Sequence, residues 1–177
     1  RGIDVLLVER RDFVFRFPRA HLLNPRTMEA FHDMGVADDI YAATPTHDRW
    51  RKAVWYTTAT GPGRFDGLKI GEVPAWGGGP DAERYRASSP RAFANMPQLR
   101  LDPLIHRHAV AAAPGRIRAK QEVIGIRQDA DSATVEIRDV VSGEVREVRA
   151  RYVIAADGGR DSAALLGVEL EGPRDMR

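Results

Sequence analysis

The chain has 177 residues, of which 43% are hydrophobic and 29% charged, a composition that predicts a globular protein with a core of its own. Its formal net charge is only +2, and basic and acidic residues alternate along it, so we expect no nucleic-acid partner. It contains no cysteine, which excludes disulfides and thiolate metal sites and suits a reducing cytoplasm.

The beginning of the chain predicts a buried strand. Residues 3–8 are almost continuously apolar, a run too short for an amphipathic helix and typical of a parallel strand covered on both faces. Glu9 and Arg10 end this strand, and a loop follows through Pro18. The chain starts without an initiator methionine or a signal segment, so we expect a segment of a longer protein. No apolar run reaches the roughly 18 residues of a membrane span, and we expect no membrane partner.

Two helices are predicted next. Asn24 is typical of an N-cap, and Pro25 of the first helical position. Gly35 ends this helix, and a second, short helix covers residues 37–43. The apolar side of the first helix consists of three residues: Met28, Phe31 and Met34.

The middle of the chain has a different character. Residues 54–58 are β-branched or aromatic and predict a strand, whereas residues 61–94 are rich in glycine and proline and predict long loops beside a partial sheet. Asp102 and Pro103 then predict a further helix start, and Pro114 with Gly115 closes that helix.

The last third of the chain predicts a meander of strands. Its three strands are 123–127, 133–139 and 144–149. Residues 142–143 form a plausible hairpin turn between the last two. Residues 152–156 predict another buried strand that ends at Asp157, and a short helix covers residues 162–166. The order of elements predicts an α/β fold with an inserted antiparallel part.

Four segments carry the chemistry by their order along the chain: residues 8–10, 19–29, 95–104 and 152–160. Together they resemble the class A FAD-dependent aromatic monooxygenases, the p-hydroxybenzoate and phenol hydroxylase group. Residues 76–79 and 172–176 are similar to the branch of dichlorophenol and hydroxyphenylpropionate hydroxylases. The glycine-rich turn that usually precedes such a strand by about 20 residues lies outside this sequence.

The resemblance implies a partial FAD-binding, Rossmann-like fold of the p-hydroxybenzoate hydroxylase type, with a β-meander and part of a substrate-domain sheet. Residues 1–50 would form one FAD-binding part and residues 95–177 another. Residues 51–94 would belong to the substrate-binding sheet and its loops.

The resemblance also implies contacts to the adenosine and phosphate end of FAD. Glu9 would hold the adenosine ribose, Arg10 would lie near the adenine, and Arg19 would meet the pyrophosphate, for which a planar guanidinium is suited. Val123 would offer backbone contacts to the adenine. Read without the family, Glu9 is a solvated strand end, Arg19 an exposed loop arginine and Val123 a core residue.

Two further motifs are implied to contact the cofactors. Gln98 would lie near the flavin and ribityl chain, or else is a surface residue at a helix entry. Asp157 and Gly158 match an Asp-Gly motif near the FAD ribose and pyrophosphate that is tied to NAD(P)H use; the alternative is an ordinary turn. This chain departs from the family at Asp161 and Ala164, where relatives often carry serine and arginine, which leaves a second arginine contact open.

His21 is the candidate catalytic residue. It stands where phenol hydroxylases carry an acidic group near the substrate hydroxyl, and a base there would draw off the phenolic proton. The alternative is a loop histidine bonded to a backbone carbonyl. No pair of the other histidines, with a carboxylate, suggests a metal site.

The function implied is that of an FAD-dependent monooxygenase that hydroxylates a small phenolic ring with O2, using NADPH or NADH. This chain alone is expected to be inactive and to hold FAD weakly. Another oxidoreductase on the same FAD fold, or a non-catalytic binding domain, is the alternative, and a homodimer stays open.

Overall fold

The chain divides into two units, residues 1–13 with 110–177 and residues 14–109. The computed structural model describes residues 2–13, 19–159, 161–169 and 171–172. The predicted loop end at Pro18, the last residue of the 152–160 segment and most of the 172–176 motif lie outside these ranges. How the two units map onto FAD-binding and substrate parts stays a prediction.

The strands in the described ranges are β1 (Leu7–Glu9), β2 (Leu22–Leu23), β3 (Lys52–Tyr56), β4 (Lys69–Pro74), β5 (Ala94–Asn95), β6 (Ile117–Ala119), β7 (Gln121–Gln128), β8 (Ala133–Asp139) and β9 (Val145–Ala150). The α-helices are α1 (Pro25–Asp33), α2 (Ala37–Ala42), α3 (Ala82–Ser88), α4 (Gln98–Ala112) and α5 (Asp161–Leu165). Short 3-10 turns lie at His47–Arg49 and Gly79–Asp81. The predicted α/β class is confirmed.

The first strand pairs in parallel, as predicted, but it is shorter and less buried than expected. β1 pairs with β6, with Leu7 opposite Ile117 and Glu9 opposite Ala119. Ile3, predicted to lie in the strand, is 83% exposed. A parallel strand is buried only where neighbours flank it and helices cover both faces, and among the described residues β1 pairs with β6 alone.

The predicted meander is confirmed as an antiparallel sheet of order β7-β8-β9. Along β8 the side chains alternate as a half-buried strand requires, and Ala133, Val135 and Ile137 are buried. Gly143, in the loop from β8 to β9, has φ 76°, a left-handed conformation that glycine adopts without strain.

The buried strand predicted at residues 152–156 is wrong. These residues form no strand in the described part of the chain, and Ile154 is 91% exposed. Apolar, β-branched composition favours a strand only where a neighbouring strand takes up its backbone groups, and no described strand does so here. The short helix that follows is confirmed as α5, with Gly167 just beyond its end.

The core of the second unit lies among α1, α2, α4 and the β2–β5 pair. Its buried residues are Leu23, Met28, Val36, Ala37, Ile40, Ala94, Met96, Leu101 and Leu104. The start of α1 is confirmed: Asn24 Oδ1 accepts from the Thr27 amide at 2.8 Å, and Pro25 is the first helical residue. Met34 was wrongly predicted on the buried side, because it caps the helix at its C-terminal end and is 69% exposed.

The predicted helix start at Asp102 and Pro103 is also wrong, because both residues lie inside α4. The Pro97 carbonyl already accepts from the amides of Arg100 and Leu101, so Pro97 marks the beginning of the helix. Pro103 removes the amide that would bond the Leu99 carbonyl. Leu99 is exposed, so water can satisfy that carbonyl.

The segment predicted as a partial sheet with long loops contains more regular structure than expected. β3 confirms the predicted strand and pairs antiparallel with β4, which was not predicted. Helix α3 was missed as well. It has no buried residue, so its sequence carries no apolar helical periodicity.

We expect Met28→Ala to lower the free energy of unfolding by about 2–5 kcal/mol, because Met28 is 0% exposed and its truncation leaves a cavity. Met34→Ala, at the exposed C-terminal cap of the same helix, is the matched control and should change this free energy by less than about 0.5 kcal/mol. Urea denaturation followed by circular dichroism measures both. Equal effects of the two substitutions would contradict the core described above.

Candidate functional site

In the first unit, the end of β1 carries two of the predicted cofactor contacts. Glu9 Oε1 accepts a hydrogen bond from the Arg11 amide at 2.8 Å, which turns the chain directly after the strand. Arg10 Nη1 donates to Asp161 Oδ2 at 2.7 Å. This bond connects residues 151 positions apart and brings the strand end to the first residue of α5.

Asp157 organises the turn before α5. Its carboxylate accepts from the Ser162 amide at 2.6 Å, the Gly159 amide at 2.8 Å and the Ser162 hydroxyl at 3.0 Å. These donors hold the pKa of Asp157 below its usual range, the Ser162 amide first and the Gly159 amide second. The geometry is that of a turn that caps a helix, and the contact to FAD stays a prediction.

The glycines of this turn are required by its backbone. Gly158 has φ 81° and Gly159 has φ 80°, both in the left-handed region. A Cβ at either position would meet nothing within 4 Å, so backbone strain and not crowding favours glycine here.

The first unit therefore brings Glu9 and Arg10 towards the Asp157 turn through the bond to Asp161. Asp161 departs from the family pattern, and its bond to Arg10 was not predicted, since nothing local in the sequence connects the two residues. Val123 is half-buried on β7 opposite Ile137, beside a register shift in the ladder. Its backbone contact to the adenine stays a prediction.

In the second unit, the chain around His21 lies against residues 94–98. The Met96 amide donates to the His21 carbonyl at 2.7 Å, and the Gln98 amide donates to the Ala20 carbonyl at 2.9 Å. β2 and β5 continue this contact, with Leu22 opposite Asn95. Two of the segments that carry the family resemblance are thus adjacent in space.

The exposed ring of His21 is oriented by Asn95. Nδ1 of His21 lies 2.9 Å from Asn95 Oδ1, and not on a backbone carbonyl as the alternative reading had it. Because the amide oxygen accepts only, Nδ1 of His21 is the donor. In the neutral ring Nε2 then carries the lone pair, which is the requirement for a base. No role was predicted for Asn95, although it belongs to one of the four segments that carry the resemblance.

Gln98 and Arg19 flank this histidine along the paired segments. Gln98, half-buried at the first position of α4, donates to Asp102 Oδ2 at 3.4 Å. Burial raises the pKa of Asp102, and the bond from Gln98 opposes that shift. Arg19 is exposed, two residues before His21. The second unit therefore gathers three of the predicted residues at one place.

No set of three or more histidine, aspartate or glutamate side chains among the described residues could hold a metal ion. No helix in the described ranges has the length and apolar character needed to cross a bilayer.

Comparison with known proteins decides the family. The sequence model of the FAD binding domain matches residues 1–177. The chain belongs to this FAD-binding family. The flavin-dependent monooxygenase PieE, solved in complex with FAD and substrate, is 36% identical, with a TM-score of 0.83 over 95% of this chain and 28% of that one. These matches confirm the resemblance on which the site was predicted.

Curated relatives of this FAD-binding chain include two enzymes named for phenols. Phenol 2-monooxygenase from Pseudomonas sp. is 28% identical, covering 93% of this chain and 26% of the relative. The 2,4-dichlorophenol 6-monooxygenase of Cupriavidus pinatubonensis is 31% identical, covering 97% and 28%. The chain therefore spans little more than a quarter of the length of these relatives.

We expect the chemical shifts of the Ser162 and Gly159 amides to report the protonation of Asp157, with a midpoint below the ordinary aspartate pKa of about 3.9. The folded pKa of Asp157 is depressed, so its contribution to the turn is present above that value and lost as the pH falls through the folded pKa. Amide chemical shifts in NMR spectra recorded against pH measure it.

Asp157→Asn should abolish this titration, whereas Asp131→Asn, at an exposed aspartate of a different loop, should leave it unchanged. Shifts that follow pH equally in all three proteins would show that another group controls the turn.

Proposed function

We propose that this chain is the part of a longer FAD- and NAD(P)H-dependent monooxygenase that holds the adenosine half of FAD and presents a base to a phenolic substrate, which is hydroxylated with O2. The match of the FAD-binding family over all 177 residues carries this proposal. The names of the relatives, phenol 2-monooxygenase among them, support the phenolic substrate.

The residues of the first unit fit the polar parts of FAD. Ribose hydroxyls donate, so they need acceptors such as the carboxylate of Glu9 at the end of a parallel strand. Asp157 already accepts three hydrogen bonds, most of the capacity of a carboxylate. We therefore assign Asp157 to hold the turn. Gly158, without a side chain, is the place where the backbone approaches the cofactor.

The arginines fit the phosphates. A guanidinium donates two parallel, charge-assisted hydrogen bonds to phosphate oxygens. Arg19, exposed beside the His21 segment, is the candidate for the pyrophosphate, and Arg10 for the adenine end. We assign residues 1–50 and 95–177 to the FAD-binding part and residues 51–94, with the β3–β4 hairpin, to the substrate part.

His21 is the residue that would move a proton. When bound, the flavin supplies the redox chemistry with NAD(P)H and O2. The contribution of this chain is to take the phenolic proton on Nε2 of His21, which makes the ring more electron-rich. Asn95 holds the ring of His21 through Nδ1 and so keeps Nε2 unprotonated in the neutral form.

The whole protein that contains this chain should be yellow and should oxidise NAD(P)H faster when a phenol is added, with a hydroxylated product that depends on O2. Arg19→Gln should weaken FAD binding by about tenfold to a hundredfold, the range expected for a lost charge-assisted hydrogen bond. Arg64→Gln, on an exposed loop, is the control and should leave FAD affinity unchanged.

Flavin fluorescence and absorbance measure the affinity, and chromatography identifies the product. A protein that stays colourless with added FAD would refute the proposal and favour a binding domain. A flavoprotein whose NAD(P)H oxidation ignores phenols would favour another oxidoreductase on the same fold.

We expect His21→Gln in the whole protein to lower kcat for an unionised phenol by about 10²-fold or more, the usual contribution of a general base. An electron-poor phenol that is already ionised at the assay pH needs no base, so it should restore most of the rate. Asn95→Leu should weaken the same step and shift its pH profile, because it releases Nδ1 of the histidine. If His21→Gln slowed ionised and unionised phenols equally, the role as a base would be wrong.

A further inference from the structure

A cavity of about 300 Å³ lies within the second unit, and most of its lining residues belong to the segment 51–94 that we assigned to the substrate part. None of the residues proposed individually for FAD or for catalysis lines it. Aromatic rings form part of its wall. Tyr85 and Phe93 meet edge to face with ring centroids 5.4 Å apart, and His47 stacks on Phe93 at 6.1 Å. Gly77 lines it too, and a Cβ there would come within about 3.5 Å of both Phe93 and Tyr85.

The charge of the cavity is of one sign. Arg51, Arg86 and Arg91 line it, and no aspartate or glutamate is among its described lining residues. The arginines are therefore the dominant charges facing the space. Of them, Arg86 has a carboxylate partner outside the lining, at 2.7 Å.

Arg91 has an unsatisfied donor. Its Nη2 donates to Nδ1 of His32 at 2.6 Å, but its Nε is buried and has no hydrogen-bond partner among the described residues. A buried N–H of a permanently charged group is costly to leave unpaired, so the guanidinium of Arg91 is incompletely paired within the described residues.

The carboxylate of Glu29, which lines another cavity together with Arg91, is engaged by other donors. Glu29 accepts from the Ser89 hydroxyl at 2.6 Å and from Arg26 at 2.6 Å. These two donors lower the pKa of Glu29, the Ser89 hydroxyl more than Arg26, and keep it ionised and engaged. Ser89 also accepts from the Arg91 amide at 3.1 Å, which fixes the backbone at Arg91.

We propose that this cavity binds a small aromatic carboxylate, with the ring against Tyr85 and Phe93 and the carboxylate on the arginines that line it. Edge or face contact with aromatic walls selects a planar ring, and the guanidinium fork selects a carboxylate. A volume at the lower end of ligand pockets limits the ligand to a single ring. The site requires neither FAD nor monooxygenase activity.

Benzoate is the probe, and the protein's own tryptophans are the reporters. Trp50 lies 4.9 Å from the His47 ring and 6.0 Å from Trp76, so occupation of the cavity should change their fluorescence. We expect saturable quenching with a dissociation constant on the order of 1 mM, as for a ligand of so few atoms. Cyclohexanecarboxylate, with the same charge and no aromatic ring, should bind at least severalfold more weakly.

Variants of the arginines assign the site. Arg91→Gln and Arg86→Gln should each weaken benzoate binding about tenfold, with the fold checked by circular dichroism. Arg84 lies on the same helix as Arg86 but does not line the cavity. Arg84→Gln is therefore the matched control and should bind benzoate with the affinity of the unsubstituted protein. If Arg91→Gln does not fold, the comparison of Arg86→Gln with Arg84→Gln decides alone.

Three outcomes would overturn the proposal. They are the absence of saturable quenching, equal binding of benzoate and cyclohexanecarboxylate, and equal loss in Arg84→Gln and Arg86→Gln. The first would mean that the cavity takes no such ligand, the second that it selects charge without a ring, and the third that benzoate binds elsewhere.

Discussion

Backbone hydrogen bonds between residues 20–21 and 96–98 are the constraint on which the second unit depends. They join segments about 75 residues apart along the chain and do so through main-chain groups, so side-chain replacement leaves them in place. The short β2–β5 pair beside them places Leu23, Ala94 and Met96 in the core with Met28 of α1. The same contact fixes His21 and Gln98 relative to each other. One set of main-chain hydrogen bonds therefore positions both the core and the candidate site.

Local signals in the sequence were enough to predict the elements whose causes are local. Asn24 caps α1 because its side chain reaches an amide three residues on, and the alternation along β8 follows from the strand repeat itself. The Asp102–Pro103 signal failed because Pro97, an equally local signal, lies five residues before Asp102 and marks the actual start of the helix. The strand predicted at residues 152–156 failed for a different reason, since strand formation depends on a partner that composition does not reveal.

The residues of the candidate site likewise divide into those that sequence motifs reveal and those that only the tertiary fold reveals. The family resemblance selected Glu9, Arg19, His21, Gln98 and Asp157 from motifs along the chain. It could not provide Asn95 as the partner of His21 or Asp161 as the partner of Arg10, because both pairs are set by the tertiary fold. The unsatisfied donor of Arg91 is likewise invisible in a sequence. Arg127, on β7, looks no different from Arg91 in the sequence. It bridges Glu136 and Glu147 on an exposed face, and only the structure distinguishes the two arginines.

The bond between Arg10 and Asp161 at the end of β1 is weak enough for another anion to replace Asp161 as the partner of Arg10. Both side chains are about half exposed, at 47% and 55%, and an ion pair in such a setting contributes less than about 1 kcal/mol. An anion that approached Arg10 would replace one carboxylate by another negative group at nearly no net cost. The first residue of α5 would then be left to solvent. A surface ion pair of this kind keeps the arginine side chain oriented until an anion that binds it more strongly replaces the carboxylate.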